Sequence, residues 1–356
     1  METGPLNVGD YERVAEEALD EGAFGYFAGG AGDEHTVRYN REAFDRWRLR
    51  PRMLVDVTAV TTATTVLGDE IAVPVLTAPV AYQRMAHPDG EAAVARAAAA
   101  AGTIMCLSTF ATTSPAEVAE AAPDGRRWFQ LYWHPDRGVT QSLLDQARET
   151  GFSAVLFTLD VPVLGRRERD LRTGFGLRPG LTIQTYGSAL GDLGALTQEL
   201  AAELIDARLT WRDLEWLHDN AQMPVLAKGI LTAEDAVLAA DHGCAGVVVS
   251  NHGGRQLDRA VASLDALPEV VEAVGDRVEV LMDGGIRRGT EIAIALALGA
   301  RAVLVGRPVV WGLAARGQQG VEHVLRLLRD ELTQALALLG CSSPGELGRA
   351  HVSRAD

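Results

Sequence analysis

Eight short runs of apolar residues recur along the chain, and a loop and a helix-like segment follow most of them. The runs are apolar almost throughout rather than alternating, which is typical of parallel strands covered on both faces. Successive strand–helix units favour an α/β fold, a closed (β/α)8 TIM barrel, over the alternative of an open eight-stranded sheet. The runs are Val73–Ala78, Ile104–Ser108, Trp128–Tyr132, Ala154–Thr158, Pro224–Lys228, Ala245–Ser250, Val278–Asp283 and Ala302–Val305.

Two regions lie outside this repeat. We expect residues 1–60 to form a helical extension across the bottom or side of the barrel. Residues 176–223 form a long excursion after the fourth run, and long loops at that end of a barrel are often lids, although an ordinary insertion explains the excursion equally well. We therefore expect a single domain over residues 1–356, with the barrel at 61–345.

Helix signals support this division. Residues Ser114–Ala121 begin with Ser-Pro, and Glu117 stands three residues after the serine, which predicts a capping box. Within the excursion, Leu196–Asp206 and Thr210–Asn220 are also predicted to be helical.

Composition excludes several classes of protein. Hydrophobic residues make up 47% of the chain, which is enough for a packed core. The 33 Lys and Arg against 48 Asp and Glu give a net charge of −15, so we expect no diffuse nucleic-acid-binding face.

Cys106, Cys244 and Cys341 are too few and too far apart for a disulfide scaffold or a CxxC metal site, and we expect no metal. No secretory signal or membrane-spanning run is recognisable, so we expect a cytoplasmic protein with no membrane partner.

Polar residues collect where the apolar runs end, and active sites of such barrels lie at the carboxyl ends of their strands. Buried polar groups cost about 1–3 kcal/mol each unless they are paired. Their number at one end of the barrel therefore favours a ligand site over a purely structural role. They are Ser108, Gln130, Tyr132, Thr158, Asp160, Arg167, Lys228, Ser250, His252, Arg255, Asp283, Arg287 and Arg307.

The last two runs end in a pattern typical of a phosphate site. Gly284, Gly285 and Arg287 come before a helix that is predicted to start near residue 289, and Gly306 and Arg307 follow the next strand. Glycine amides, guanidinium groups and a helix N-terminus all bind phosphate, and these two loops are its usual position in a barrel. The sequence therefore predicts a ligand that carries phosphate.

Other residues at the strand ends suit acid–base chemistry. Lys228 ends a buried run and suits either a Schiff base or the stabilisation of an anion on a cofactor. His252 with Asp160 suits a base and its orienting carboxylate, and Arg167 with Arg255 suits a grip on a substrate carboxylate. The structural alternatives are a packed histidine for His252 and a surface ion pair for Arg167.

Nine segments between Tyr26 and about Cys341 resemble the FMN-dependent L-2-hydroxy-acid oxidase family, which includes glycolate, lactate and mandelate oxidases. The SNHGGRQLD segment followed by DGGIRRG is the most specific part of the resemblance. The nine segments are YFAGGAGDE (26–34), RPRML (50–54), APVAYQRMAHPDGE (78–91), FQLYW (129–133), TLDVPVLGRRERD (158–170), LAKGI (226–230), VVVSNHGGRQLD (247–258), MDGGIRRGT (282–290) and VGRPVVWGLA (305–314).

The resemblance implies a 2-hydroxy acid as the substrate and a 2-oxo acid as the product. It implies His252 as the base, with Asp160 to orient it and to stabilise its cation. It also implies that a pair of arginines and a pair of tyrosines contact the substrate. These are Arg167 and Arg255, which hold the carboxylate, and Tyr26 and Tyr132, which contact the carboxylate and the hydroxyl.

The resemblance also implies FMN as the cofactor. The residues implied to hold it fall into groups along the ring, the ribityl chain and the phosphate. They are Pro79, Val80, Ala81, Ser108, Gln130 and Thr158 at the ring, Lys228 at its N1/O2 edge, Ser250 and Asp283 at the ribityl chain, and Arg287, Gly306 and Arg307 at the phosphate, with Gly284 and Gly285 beside them.

Two residues depart from the pattern of plant glycolate oxidases. Phe110 stands where those enzymes have a tryptophan, and Tyr82 stands where many relatives have a methionine. The pair is similar to actinobacterial 4-hydroxymandelate oxidases, and an aromatic pocket suits an aryl substrate. We therefore expect oxidation of mandelate or 4-hydroxymandelate, with O2 as the electron acceptor and H2O2 as a product.

Other functions remain open at this point. One alternative is an oxidase or dehydrogenase of aliphatic 2-hydroxy acids of the lactate or glycolate type. A non-redox phosphate-sugar isomerase or aldolase and a non-catalytic FMN-binding protein are more distant alternatives. By analogy with relatives, which are often tetramers, we also expect a homo-oligomer.

Overall fold

The N-terminal region contains three helices and then a short strand. The computed structural model describes residues 4–187 and 202–355. The first elements are α1 (Val8–Ala18), α2 (Glu21–Ala28), α3 (His35–Asp45) and β1 (Trp47–Leu49). Strand β1 pairs antiparallel with the last strand of the chain, Val352–Arg354. We predicted a helical extension over residues 1–60, and its helices end at Asp45. The backbone that follows is a strand, because it forms hydrogen bonds with the C-terminal strand rather than within a helix.

A small hairpin closes the lower end of the barrel. Strands β2 (Thr64–Val66) and β3 (Asp69–Ile71) pair antiparallel with each other. Val66 and Ile71 lie in the same buried cluster as Leu76 and Leu304, which belong to barrel strands. The hairpin therefore covers the barrel interior at the amino-terminal ends of the strands and leaves the opposite end for a site.

Eight parallel strands form a closed barrel, which confirms the predicted fold. Each predicted apolar run supplies one strand. They are β4 (Val75–Thr77), β5 (Ile104–Leu107), β6 (Arg126–Leu131), β7 (Val155–Thr158), β8 (Val225–Ile230), β9 (Gly246–Val249), β10 (Glu279–Asp283) and β11 (Ala302–Val305). The first and last of these strands pair directly, with Val75 opposite Val303. Nearly every strand residue is buried, as expected for a sheet with side chains on one face and helices on the other.

Helices connect the strands and cover the outside of the barrel. In chain order they are α4 (Gly90–Ala100), α5 (Pro115–Ala121), α6 (Arg137–Glu149), α7 (Glu168–Thr173), α8 (Trp211–Ala221), α9 (Ala233–Asp241), α10 (Ser263–Val274), α11 (Gly289–Ala297) and α12 (Arg307–Leu339), and β12 (Val352–Arg354) ends the chain. The predicted capping box of α5 is present, with Ser114 and Glu117 as its two members. Within the described residues, no helix has the length and apolar character needed to cross a membrane.

The excursion after β7 is described only in part. The helix predicted over Thr210–Asn220 is present as α8, whereas residues 196–201 of the other predicted helix lie outside the described residues. The segment before that gap contacts the loop that follows β5, where the Gln184 backbone N–H donates to the Ala111 carbonyl at 2.9 Å. The Thr185 hydroxyl donates to the Thr109 carbonyl of the same loop. The excursion thus contacts the carboxyl end of the barrel, and its role as a lid stays a prediction.

The capping box gives a test of the fold. We expect Ser114→Ala to lower the free energy of unfolding by about 1 kcal/mol, because the Glu117 backbone N–H at the start of α5 loses its acceptor. Urea denaturation of the purified protein measures the change. Ser114→Asp keeps an acceptor at the same position and should unfold close to the wild type. Equal midpoints for Ser114→Ala and the wild type would contradict the assignment of the cap.

Candidate active site

A deep cavity opens at the carboxyl ends of the barrel strands. It encloses about 1290 Å³, counting the space open to solvent at its mouth. All of the sequence-predicted site residues line this cavity except Asp160 and Ser250, which lie behind its wall. Those in the wall are Tyr26, Pro79, Val80, Ala81, Tyr82, Ser108, Phe110, Gln130, Tyr132, Thr158, Arg167, Lys228, His252, Arg255, Asp283, Gly284, Gly285, Arg287, Gly306 and Arg307.

The loop after β9 carries a histidine held from two sides. The Nδ1 atom of His252 lies 3.0 Å from a carboxylate oxygen of Asp160. Its Nε2 atom lies 3.4 Å from the hydroxyl of Tyr132. Because the carboxylate accepts the Nδ1 proton, the unprotonated Nε2 is the nitrogen that faces the cavity.

Charges around the histidine keep it neutral and its partner ionised. Burial lowers the pKa of His252 below its ordinary value, Asp160 opposes that shift, and the charges of Lys228 and Arg167 add to it. Burial alone would raise the pKa of Asp160, but His252 and Lys228 hold it below its ordinary value. The pair therefore suits a base whose free nitrogen is ready to accept a proton at neutral pH.

A glycine makes room for this carboxylate. Gly229 follows Lys228 on β8 and has a φ of +105°, a conformation that side chains rarely adopt. A Cβ atom there would lie 2.7 Å from the Cβ of Asp160. Close approach of the two strand ends is thus what allows Asp160 to reach His252 from behind the cavity wall.

A second buried cluster fixes the lysine at the end of β8. The Nζ atom of Lys228 donates to the hydroxyl of Ser250 at 2.9 Å and lies 3.2 Å from a carboxylate oxygen of Asp283. Ser250 in turn donates to Asp283 at 2.6 Å. Burial alone would lower the pKa of Lys228, but the charges of Asp283 and Asp160 hold it above its ordinary value. The cluster therefore presents a protonated amine to the cavity.

Amide and hydroxyl groups line the neighbouring wall. Gln130 on β6 donates to the hydroxyl of Thr158 at 3.0 Å. Its carbonyl oxygen accepts from the hydroxyl of Ser108 at 3.2 Å and from the backbone N–H of Thr109 at 3.1 Å. Because these bonds fix the amide group, this wall offers polar atoms in set positions to a flat ligand.

Two partly buried arginines lie at the far end of the cavity. Burial lowers the pKa of Arg287 to about 10, and burial together with the charges of Arg255 and Arg287 lowers that of Arg307 to about 9. Neither guanidinium forms an ion pair with a carboxylate in the described part of the chain, and Arg307 donates only to the backbone carbonyls of Phe27, Gly29 and Gly253. Two partly buried cations without an ion-paired carboxylate in the described residues favour an anionic ligand beside them.

The backbone beside these arginines comes close to the N-terminal region. Gly285 has a φ of +88°, and a Cβ atom there would lie 2.2 Å from the backbone oxygen of Asn40. Only glycine fits this approach. The loop after β10 is thus pressed against α3 while its other side faces the cavity.

Arg167 and Arg255 come together as predicted, beside Tyr26. Their guanidinium carbons lie 6.0 Å and 4.7 Å from the centre of the Tyr26 ring. The Nη1 atom of Arg255 donates to the carbonyls of Tyr26 and Gly29. The Nε atom of Arg167 donates to the carbonyl of Arg255 at 3.4 Å. The two guanidinium groups are thereby fixed at the cavity mouth, where they suit a carboxylate.

Aromatic rings form the remaining wall. The rings of Tyr82 and Phe110 are parallel to within 4°, with centres 6.2 Å apart. Phe110 also contacts Tyr132, with ring centres 5.0 Å apart. Phe175, which the sequence analysis missed, stacks on Tyr26 at 4.3 Å. Its signal was weak, since it is a single aromatic residue between two glycines at the start of a long loop.

Comparisons with known proteins agree with this geometry. The model of the FMN-dependent dehydrogenase family matches residues 15–354. The chain is 51% identical over 351 residues to the L-lactate oxidase of Nostoc sp. (strain PCC 7120), covering 96% of each chain. It is 50% identical over 353 residues to glycolate oxidase 1 of Zea mays, covering 97% of this chain and 95% of the relative. A crystal structure of mandelate oxidase is 45% identical with a TM-score of 0.91, covering 99% of this chain and 98% of the other.

The histidine–carboxylate pair gives a test that needs no substrate. We expect Asp160→Asn to lower the pKa of His252 further, because the negative charge that opposes the effect of burial is removed. An NMR titration of the imidazole signals measures the shift, with His252→Gln used to assign the signal. Asp219→Asn, which removes a carboxylate beside His218 at the surface, should leave His252 unchanged. An unchanged or raised pKa of His252 in Asp160→Asn would contradict the pairing.

Proposed function

The chain belongs to the FMN-dependent dehydrogenase family, and from this premise we propose that it oxidises aryl (S)-2-hydroxy acids such as mandelate or 4-hydroxymandelate. The products are the aryl 2-oxo acid and, with O2 as the electron acceptor, H2O2. FMN-dependent 2-hydroxy-acid oxidation is the chemistry of the matched family. The observation that supports an aryl substrate is the aromatic wall formed by Tyr82, Phe110 and Phe175.

The residues of the cavity fit FMN from its phosphate to its ring. Arg287 and Arg307 are partly buried cations without an ion-pair partner in the described residues, which suits a phosphate. Lys228 offers a protonated amine to the electron-rich edge of the ring, and Gln130 offers its fixed amide group beside it. FMN, when bound there, supplies a two-electron acceptor for the substrate.

The charge and polarity of the side chains indicate which group of the substrate each would bind. Arg167 and Arg255 would hold the carboxylate, since planar guanidinium groups bind carboxylates through paired hydrogen bonds. Tyr132 would contact the substrate hydroxyl from its position beside His252. Holding the acid at two points orients the carbon that reacts and lowers the entropic part of the barrier.

His252 is the proposed base. Its Nε2 would take a proton from the substrate, either from the Cα carbon or from the hydroxyl, and Asp160 would stabilise the resulting imidazolium. The side chains favour neither of these two routes over the other. In both, the histidine must be neutral before the reaction, which agrees with its lowered pKa.

An aliphatic 2-hydroxy acid is the second candidate substrate. The 51% identity with an L-lactate oxidase favours it over the aryl acid. A Schiff-base reaction at Lys228 is disfavoured, because its amine is protonated and bonded to Ser250 and Asp283. The choice between aryl and aliphatic acids therefore depends on whether the side chain of the substrate contacts the aromatic wall.

The phosphate assignment predicts the behaviour of an arginine variant. We expect Arg307→Met to bind FMN about 10- to 100-fold more weakly, because a hydrogen bond to a charged group contributes about 1.5–3 kcal/mol. Titration of apoprotein with FMN, followed by flavin fluorescence, measures the dissociation constant. Arg301→Met removes an exposed arginine on the loop before β11 and should bind FMN like the wild type. Equal FMN affinity for Arg307→Met and Arg301→Met would contradict the assignment.

The substrate proposal predicts a rank order. We expect (S)-mandelate and (S)-4-hydroxymandelate to bleach the flavin absorbance under anaerobic conditions faster than L-lactate or glycolate. Admission of air should restore the absorbance and yield H2O2. In His252→Ala the flavin should stay bound and should not be bleached. Faster bleaching by lactate or glycolate would establish the aliphatic candidate, and no bleaching by any of these acids would contradict the proposed function.

The aromatic wall has its own test in the same assay. We expect Phe110→Leu to lower the ratio of kcat/KM for mandelate to that for lactate about two- to tenfold, because aromatic ring contacts contribute about 0.5–1.5 kcal/mol. An unchanged ratio would show that this ring does not select the substrate.

A further inference from the structure

A buried pair of amide side chains joins α3 to the loop that carries His252. The Asn40 side-chain N–H donates to the amide oxygen of Asn251 at 2.8 Å, and Asn251 donates back to Asn40 at the same distance. The two residues are only 2% and 3% exposed. They form a closed ring of two hydrogen bonds, which fixes both position and orientation.

Each amide makes further hydrogen bonds. Asn251 donates to the carbonyl of Val261 at 2.9 Å and accepts from the backbone N–H of Gly254 at 3.1 Å. Asn40 accepts in addition from the backbone N–H of Ser263 at 3.2 Å. Several bonds of this kind make a buried network rigid, whereas one lost partner leaves an unsatisfied group that costs about 1–3 kcal/mol.

The residue after Asn251 has a strained backbone. His252 has a φ of +58°, in the left-handed region, and Gly253 and Gly254 follow with φ values of +63° and +79°. Such a conformation in a non-glycine residue costs about 1–3 kcal/mol and persists only where the surroundings enforce it. The bonds from Asn251 to Gly254 and to Asn40 enclose this turn and enforce it.

Asn40 also contacts the loop that carries Arg287. A Cβ atom on Gly284 would lie 3.3 Å from the side-chain amide of Asn40, and Gly285 approaches its backbone oxygen. One residue of α3 thus contacts both the loop after β9, with the base, and the loop after β10. The distance between these loops is thereby set from outside the barrel.

We propose that Asn40 is a positioning residue that holds His252 in its reactive orientation through Asn251. Asn40 would touch neither substrate nor cofactor, and it would control the position of the His252 imidazole. The proposal rests on the proposed role of His252 as the base, which His252→Ala tests independently.

The test is Asn40→Ser, an uncharged variant that leaves the Asn251 amide without its partner. We expect at least a tenfold fall in the maximal rate of anaerobic flavin reduction, since a displacement of about 1 Å can cost on the order of 100-fold. FMN content and KM should stay within about twofold of the wild type. Gly285 packs against the backbone oxygen of residue 40, which serine retains, and Arg255 keeps its bonds to the carbonyls of Tyr26 and Gly29.

The pH profile supplies a readout that a purely structural role would not move. The groups that face His252 are Asp160, Lys228, Arg167 and Tyr132. If the imidazole moves away from Asp160, the interaction that raises its pKa weakens. The acidic limb of kcat/KM should therefore shift to lower pH in Asn40→Ser, the direction expected for Asp160→Asn.

Thr36→Ala is the matched control on the same helix. Thr36 is buried and ties α3 to Asp258, further along the loop after β9, through its hydroxyl at 3.2 Å. We expect near wild-type kcat and an unmoved pH profile. An equal fall in both variants, or a wild-type rate in folded, FMN-loaded Asn40→Ser, would overturn the proposal. If Asn40→Ser does not fold, Asn40→Asp keeps the size of the side chain but sets an oxygen that cannot donate against the amide oxygen of Asn251. The same fall in rate is expected, and a wild-type rate would overturn the proposal.

Discussion

Backbone pairing between β4 and β11 closes the barrel, and the position of every candidate site residue depends on that closure. The pairing sets Thr77 opposite Val305. It brings the loop with Tyr82, which follows β4, beside the loop with Arg307, which follows β11. In an open sheet these two strands would be the edges, and the aromatic wall would lie far from Arg307. Closure also buries both faces of each strand, which is why the runs are apolar throughout.

The buried charges of the site fall into two kinds. Lys228 is neutralised by Asp283, and His252 is oriented by Asp160, so each of these groups has a carboxylate partner within the protein. Arg287 and Arg307 have no such carboxylate among the described residues, and burial lowers their pKa values. Backbone carbonyls accept hydrogen bonds from both guanidinium groups and offset part of the cost of desolvating them. An anion bound beside them would offset more of it, and under the proposed assignment of FMN phosphate to this end, cofactor binding would also stabilise the fold.

Much of this arrangement could be predicted from local sequence, and the rest could not for physical reasons. The strands were predictable because burial on both faces leaves continuous apolar runs, and α5 because Ser114 and Glu117 form its cap within four residues. The pairing of β1 with β12 carries no local signal, since each strand has three residues and they lie at opposite ends of the chain. Phe175 and Asn40 were missed because their partners are distant in sequence. The roles of the site residues, the single-domain division and the homo-oligomer stay predictions.

Whole-chain identity and the aromatic wall favour different substrates because they report on different parts of the molecule. Identity over 351 residues counts mostly the barrel and its helices, whereas the proposed site for the side chain of the substrate is formed by two loops. Buried Glu91 fixes these loops by accepting the backbone N–H groups of Gln83 at 3.1 Å and Thr112 at 2.9 Å. The backbone on which Tyr82 and Phe110 stand is therefore fixed, and the two rings stack on each other. A ring placed against them buries more apolar area, at about 25 cal/mol per Å², so a rigid aromatic wall favours the aryl acid.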